Sequence, residues 1–257
     1  RVLALLVDLP RIDVFLDHRP DLLDVVVADL LVFGMGERQV VELGQRLEAG
    51  ESVETLRTIP GTSYTVNVAE WRRDPREDII EIPGFTEVSQ DKSAYARAFA
   101  LHHREQDPVG GRAVAQPHPK TVVIQNPPAP PLTQPELDRV YELPYTRRAH
   151  PAYKQPIPAL ESVQFSVTSH RGCFGACSFC AVTHHQGRII QSRSSDSIVR
   201  EVKRMTKMPA FRGVVQDVGG PTANMYSIFC DQWEIRGACR DRPVTGYAAR
   251  FGTPNRA

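Results

Sequence analysis

The chain has 257 residues, 41% of them hydrophobic and 24% charged, with a formal net charge of +1. That is enough apolar material for one or two packed domains, and the near-neutral balance argues against a strongly basic nucleic-acid binder or an acidic tail while leaving room for a local basic patch. No apolar run approaches the roughly 20 residues that cross a membrane, and five cysteines, an odd number with three crowded together, do not make a disulfide scaffold.

Residues 1–9 are apolar, but no small-residue cleavage site follows them. The chain opens on Arg1 rather than Met. We read it as a soluble, cytoplasmic protein from a reducing compartment, and as a fragment.

Residues 22–50 read as strand, turn and helix. LLDVVVADLLVFG is rich in Val and Leu, as buried parallel strands are. GMGE follows at 34–37. In ERQVVELGQRLEAGE, Val40, Leu43 and Leu47 recur at helical spacing before Gly50, a C-terminal stop. This is the half-unit of a doubly wound α/β domain. GMGE lacks the longer pattern of a dinucleotide fingerprint. TSYTVNV at 62–68 alternates as a short strand does, and closes an N-terminal α/β region over residues 1–68.

Residues 69–160 read as an irregular, Pro-rich connecting region. REDIIEIPGF ends in a turn at Pro83 and Gly84. Residues 93–106 form a helix with Tyr95, Phe99 and His102 on one face, and HHREQ at 102–106 is expected to face solvent. QPHPK and the NPPAPPLTQPE of 126–136 then impose an extended course over the surface. Residues 132–143 make a short helix with a threonine cap and Pro135 in its first turn.

From residue 161 the pattern changes. SVQFSVTS alternates and runs into RGCFGACSFCA, where Cys173, Cys177 and Cys180 are spaced C-x3-C-x2-C. DSIVREVKRMT at 196–206 is amphipathic, with Ile198, Val202 and Met205 inward. GVVQDVGGPT at 213–222 is a second strand stopped by a glycine pair. Strand, cysteine loop, helix, strand opens a parallel β/α array.

Three thiolates leave one position open on either of the groups that they suit. A structural zinc wants four ligands, and His184 or His185 is available as the fourth. A four-iron cluster also takes four thiolates when its role is electron transfer alone.

The residues carry a resemblance at this point. The three cysteines after a strand, with Phe179 before the last of them, resemble the radical S-adenosylmethionine (SAM) enzymes. The run FSV..HRGCFGACSFCAVTHHQGRIIQSRS at 165–195, with DVGGPTANMY at 217–226, resembles the YgiQ-type members. So do VADLLVFGMGER at 27–38, LHHREQDP at 101–108, and QNPPAPPLTQPELDRVYELPYTRRAHPAY at 125–153.

The resemblance implies an α/β fold: a cobalamin-binding-like N-terminal region, then the start of a partial (β/α) radical SAM barrel over residues 161–257. It implies a 4Fe–4S cluster on Cys173, Cys177 and Cys180, with SAM on the fourth iron and reductive cleavage of SAM to a 5′-deoxyadenosyl radical. Phe179 would lie by the adenine, and Gly172 and Gly175 would permit the tight loop. Gly219, Gly220, Pro221 and Thr222 would meet the SAM amino group; proline stands where related enzymes carry an acid, which leaves the contact to backbone carbonyls or Thr222.

A reductant such as flavodoxin or ferredoxin is the implied partner, with the substrate open. Residues 1–26 and those after Cys239 do not resemble the family, whose members are more than twice as long, so the resemblance implies a partial chain. Cys230 and Cys239 are read as free thiols, with a second metal site as the other reading. Arg188 and Arg193 are read as contacts to a carboxylate of SAM or substrate, or as exposed salt-bridging arginines. The competing functional readings are a non-catalytic zinc- or RNA-binding module, whose basic face would include Arg171, Arg188, Arg193, Arg200, Lys203, Arg204 and Lys207, and an inactive fragment.

Overall fold

The structure, a computed structural model, describes residues 2–4, 28–175, 177 and 179–238. The start of the expected strand at 22–27, Cys239 and the tail lie outside the described residues.

Six strands form one mixed sheet: β1 (Val2–Ala4), β2 (Ala28–Val32), β3 (Thr62–Asn67), β4 (Ile79–Glu81), β5 (Ala113–Pro117) and β6 (Thr121–Gln125), in the order β1-β2-β3-β6-β5-β4. The strand–turn–helix at 28–48 is present, with α1 at Glu37–Glu48. The doubly wound, parallel reading is corrected. Only the outer pairs, β1 with β2 and β4 with β5, are parallel; the three inner pairs, β2 with β3, β3 with β6 and β6 with β5, are antiparallel.

The physical reason lies in the segment read as irregular. QPHPK is a hairpin turn between β5 and β6, closed where the His118 N–H donates to the Thr121 carbonyl at 2.8 Å. A three-residue connection joins antiparallel strands, whereas a parallel pair needs a longer crossover. Pro117 sits at the last position of β5 and Pro119 in the turn itself, places where a missing N–H costs little. These prolines hid two strands of the six in the sheet.

Apolar side chains cover both faces. Leu30, Leu43, Leu56, Tyr64, Trp71, Val122 and Ile124 form one cluster, in which Leu43 anchors α1 and Leu56 the short 3-10 helix Val53–Thr58. On the other face Ile82, Val88, Ala98 and Val114 pack beneath α3 (Phe85–Gln90) and α4 (Lys92–Arg104). The Asp91 carboxylate caps α4 by accepting from Ser93 N–H at 2.8 Å and Ala94 N–H at 3.2 Å. Ala94 and Ala98 are its fully buried residues, while Phe99, placed inward by spacing, is 43% exposed. Between β3 and β4 lies α2 (Val68–Arg73).

The polyproline stretch is extended as expected and pinned. The buried Asn126 amide donates to the carbonyls of Arg57 and Ile59, and Gly61 N–H donates to the Pro127 carbonyl at 2.7 Å. It ends at α5 (Gln134–Glu142), where the Thr133 N–H donates to the Glu136 carboxylate at 2.8 Å. Arg38 on α1 reaches the same carboxylate at 2.7 Å, and these donors pull its pKa down to about 2.

After α6 (Pro158–Val163) the chain forms a β/α unit. Strand β7 (Ser166–Thr168) lies parallel to β10 (Asp217–Gly219), and α8 (Ser195–Met205) connects their layers. Met205 is fully buried against Phe165 and Val167, as the spacing predicts. A two-stranded ribbon, β8 (His170–Arg171) with β9 (Gln191–Ser192), closes the base of the cysteine loop, and α7 (Val182–Gln186) lies within that loop. A short α9 (Trp233–Arg236) ends the described part.

Strand β7 has two different edges. Phe165 and Ser169 bond toward β10, through Gln216 N–H and the Gly219 carbonyl. The alternate carbonyls, of Gln164, Ser166 and Thr168, point the other way. Among the described residues no strand meets them. Arg147 donates to Gln164 and Ser166, each at 2.9 Å, and Arg193 to Thr168 at 2.9 Å. The Glu201 carboxylate, 6% exposed, pairs with both guanidiniums. Arg193 is fully buried, over the Tyr141 ring and bonded to the Ser197 hydroxyl. Arg193 is thus salt-bridging, as one of its readings has it, but buried where that reading expects it to be exposed.

Glu201→Ala strands two cations and uncovers that edge. We expect a loss of about 3–5 kcal/mol in urea-induced unfolding, the cost of breaking a buried charge pair from one side.

Candidate metal centre

The cysteine loop begins where β8 ends. Gly172 has φ +89, and a Cβ there would lie 2.4 Å from the Ile189 carbonyl oxygen, so the turn requires glycine. Cys173 N–H donates to the Gly187 carbonyl at 3.0 Å and Cys180 N–H to the Cys177 carbonyl at 3.0 Å. Cys173 is buried against Ile190, Met225 and Trp233; Cys177 is exposed and Cys180 half-buried, and all three are free thiols. Gly175 lies between two of them. A Cβ on it would sit 3.2 Å from the Cys173 sulfur and 3.7 Å from that of Cys177. The Cys173 sulfur accepts from Gly175 N–H at 3.4 Å and from the Thr222 hydroxyl at 3.5 Å.

Among the described residues no three His, Cys, Asp or Glu side chains are grouped as they would be around one metal ion.

The other residues picked out by the sequence fall on two sides of this loop. Phe179, at its tip, is 90% exposed. Gly219, Gly220 and Pro221 line a cleft of about 1040 Å³ that also meets the strand residues Ser166, Thr168 and Asp217. The register of β7 and β10 puts those three side chains on one face. Helices α1 and α5 also line it, with the apolar Val40, Val41, Tyr141 and Leu143 beside the charged Glu37, Arg38, Glu136 and Arg139.

Gly220 has a packing reason to be glycine: a Cβ would lie 2.1 Å from His170 Nε2. That ring is 1% exposed, accepts from Met225 N–H at 3.3 Å, and meets the Ser169 hydroxyl through Nδ1 at 2.9 Å. Burial pushes its pKa down.

His184, a candidate zinc ligand by sequence, packs its ring 5.7 Å from Phe99 and 5.2 Å from His103. Arg188 hydrogen-bonds His103. The solvent-facing reading of HHREQ is corrected. Burial lowers the pKa of His102, which bonds Gln125 at 3.1 Å, and Glu105 is buried, accepting from Arg112 N–H at 2.8 Å.

Contacts that sequence spacing does not announce join these pieces. Arg171 Nη1 meets Glu37 Oε1 at 2.6 Å and its Nε meets the Tyr141 hydroxyl at 2.9 Å. Asp107 caps Val109 and Gly110 and also accepts from Ala238 N–H at 2.8 Å, 131 residues away. Cys230 packs beside the cluster that contains Cys173, and Cys239 lies outside the described residues.

The segment that carries the mixed sheet, ahead of the three-cysteine loop, is matched by a family model. The chain belongs to the radical SAM N-terminal family, which it matches over residues 17–166. Within that class its relatives are UPF0313 proteins, the YgiQ-type group. It is 53% identical to a UPF0313 protein of Methanosarcina acetivorans, covering 84% of this chain and 32% of the relative. It is 49% identical to one from Methanosarcina mazei, covering 87% and 41%, and 46% identical to one from Clostridium botulinum, covering 87% and 35%. The chain thus spans about a third of the length of the curated relatives that it matches. No solved structure matches it. Among the described residues no helix is long and apolar enough to cross a membrane.

Burial, and after it neighbouring charges, hold His184 at about 4 instead of 6.5. The unfolded chain gains a proton on that ring below pH 6.5 while the folded chain resists until about 4, so stability is full above 6.5 and falls through that window. Urea midpoints measured from pH 7.5 down to 4.5 are expected to decline, and His184→Phe to flatten the decline. Gly220→Ala, forced against the His170 ring, is expected to lower stability by about 1–3 kcal/mol in the same assay.

Proposed function

We propose that this chain is part of a radical SAM enzyme in which Cys173, Cys177 and Cys180 hold three irons of a 4Fe–4S cluster and the strand end at residues 219–222 receives SAM, for a reaction on a substrate still to be identified. The observation that carries the reading is the seat of Cys173. Its sulfur takes two hydrogen-bond donors, Gly175 N–H and Thr222 O–H, so its lone pairs are oriented from the loop on one side and from the strand end after β10 on the other. The residues fit the group: the donors are soft, one thiolate serves each of three irons, and Gly175 leaves open the space a side chain would fill between two thiols.

When bound, the cluster supplies the electron for reductive cleavage of SAM to a 5′-deoxyadenosyl radical that takes a hydrogen atom from the substrate. The chain's own part is placement and shielding. His170 packs against the backbone at Gly220, where Gly219, Gly220 and Pro221 line the cleft, and Thr222 turns to the Cys173 sulfur. Ser166, Thr168 and Asp217 offer polar groups on one wall, and Val40, Val41 and Tyr141 add apolar surface from α1 and α5. Strands β7 and β10 are the first two of a partial barrel, with the arginine-covered edge of β7 as the edge where the barrel begins. The free thiols suit a reducing, cytoplasmic compartment, where a flavodoxin- or ferredoxin-like reductant would deliver the electron.

A zinc- or RNA-binding module is the weaker reading. His184 is engaged with α4, and the arginines of its basic face are spoken for: Arg171 by Glu37, Arg193 by Glu201, Arg200 by Glu142.

Anaerobic reconstitution with iron and sulfide tests the proposal. A brown chain with absorbance in the blue, whose reduced-state electron paramagnetic resonance spectrum shifts on adding SAM, is expected; Cys177→Ala is expected to lose the colour. A colourless chain with one tightly bound zinc sinks it.

A further inference from the structure

We infer that Arg171, gripped by Glu37 and Tyr141, is a positioning residue for the cluster loop, so that the N-terminal α/β unit is a working part of the metal centre. The inference rests on the cluster reading above and goes beyond it, because it assigns a role to GMGE and LHHREQDP, two motifs which that reading leaves unused.

The loop cannot hold itself. Its base is a ribbon of two residue pairs, and Gly172, Gly175 and Gly187 supply little rigidity. Arg171 is the last residue of β8 and lies two before Cys173. Its side chain, 14% exposed, leaves the loop and enters the N-terminal unit. There Nη1 meets Glu37 Oε1 at 2.6 Å and Met35 Sδ at 3.3 Å, Nε meets the Tyr141 hydroxyl at 2.9 Å, and the guanidinium stacks 5.0 Å from the Tyr141 ring centre. A planar fork held at three points fixes its own backbone, and with it the origin of the loop.

The far flank is held in the same way. After Cys180, α7 brings His184 against Phe99 and His103, and Arg188 bonds His103. The turn at residues 34–36 touches both flanks: Met35 meets Arg171, and a Cβ at Gly34, φ +71, would lie 3.4 Å from the His185 carbonyl oxygen. One glycine turn thus faces the loop's entry and its exit. Residues that orient metal ligands from behind affect retention of the metal even though they never touch it.

The test is release of iron from the anaerobically reconstituted chain to the ferrous chelator ferrozine, without SAM or turnover. Glu37→Gln and Arg171→Lys are each expected to speed release about tenfold, and the double variant to be no faster than the faster single, since both break one contact. Tyr141→Phe is expected to fall between these and the wild type. Arg46→Lys, which alters an equally short surface pair with Glu51 on the same helix, is expected to leave the rate unchanged, as is the far-ultraviolet circular dichroism of all variants. Glu37 is 31% exposed, so its substitution leaves the core untouched. The reduced-state resonance line shape is expected to change in Glu37→Gln and not in Arg46→Lys. Release at the wild-type rate in both single variants, or a double variant whose acceleration is the product of the singles, overturns the positioning role while leaving the cluster reading intact. A wild-type chain that takes up no iron overturns the cluster reading, and the positioning role with it.

Discussion

One carboxylate, that of Glu201, holds two arginines where a neighbouring strand would otherwise lie. A strand edge with unpaired carbonyls invites another strand, from this chain or a different one. Here Arg147 and Arg193 donate to the three outward carbonyls of the β7 edge, and Glu201 neutralises both guanidiniums. The charges are buried, so each depends on the others being in place. The consequence reaches beyond the edge. Arg193 stacks on Tyr141, and the Tyr141 hydroxyl meets Arg171, so the sealed strand, helix α5 and the start of the cysteine loop share one chain of contacts.

That chain explains why two regions remote in sequence form one centre. The mixed sheet is packed on both faces, with Leu43 and Val122 fully buried in one of its cores. It presents α1, the glycine turn before it, and α4 as fixed surfaces. A glycine-bearing loop with an exposed thiol at Cys177 has little order of its own to offer, and it borrows order from those surfaces on each flank. The cleft lies between the same elements, so the wall facing Ser166, Thr168 and Asp217 is built from the N-terminal unit.

Much of this was legible in the sequence. The amphipathic spacing of residues 196–206 gives α8 with Met205 inward, the threonine cap gives α5, and the valine-rich run gives β2. Each follows from periodicity within a dozen residues. The hairpin of β5 and β6 was missed because Pro117 and Pro119 flag a break without revealing that the break is a tight turn. The face of α4 was misjudged because Ala94 and Ala98, rather than the larger Phe99, lie against the sheet; a helix packs closest on its small residues. HHREQ was misjudged because polar residues read as solvated unless their buried partners are known, and here those partners include Gln125 and Arg112.

What the sequence by itself determined is therefore local: the spacing of Cys173, Cys177 and Cys180, the glycines that let the loop turn, the elements on either side, and through these the family. What only the tertiary structure decided is pairing at a distance. Glu37 finds Arg171 across 134 residues, Asp107 finds Ala238 across 131, and Glu201 chooses between arginines that the sequence offers to any acid. The reason is physical. Hydrophobic period and turn chemistry are written in neighbouring residues, but a charge or a hydrogen-bond donor has no preferred partner until the fold removes water and leaves it one.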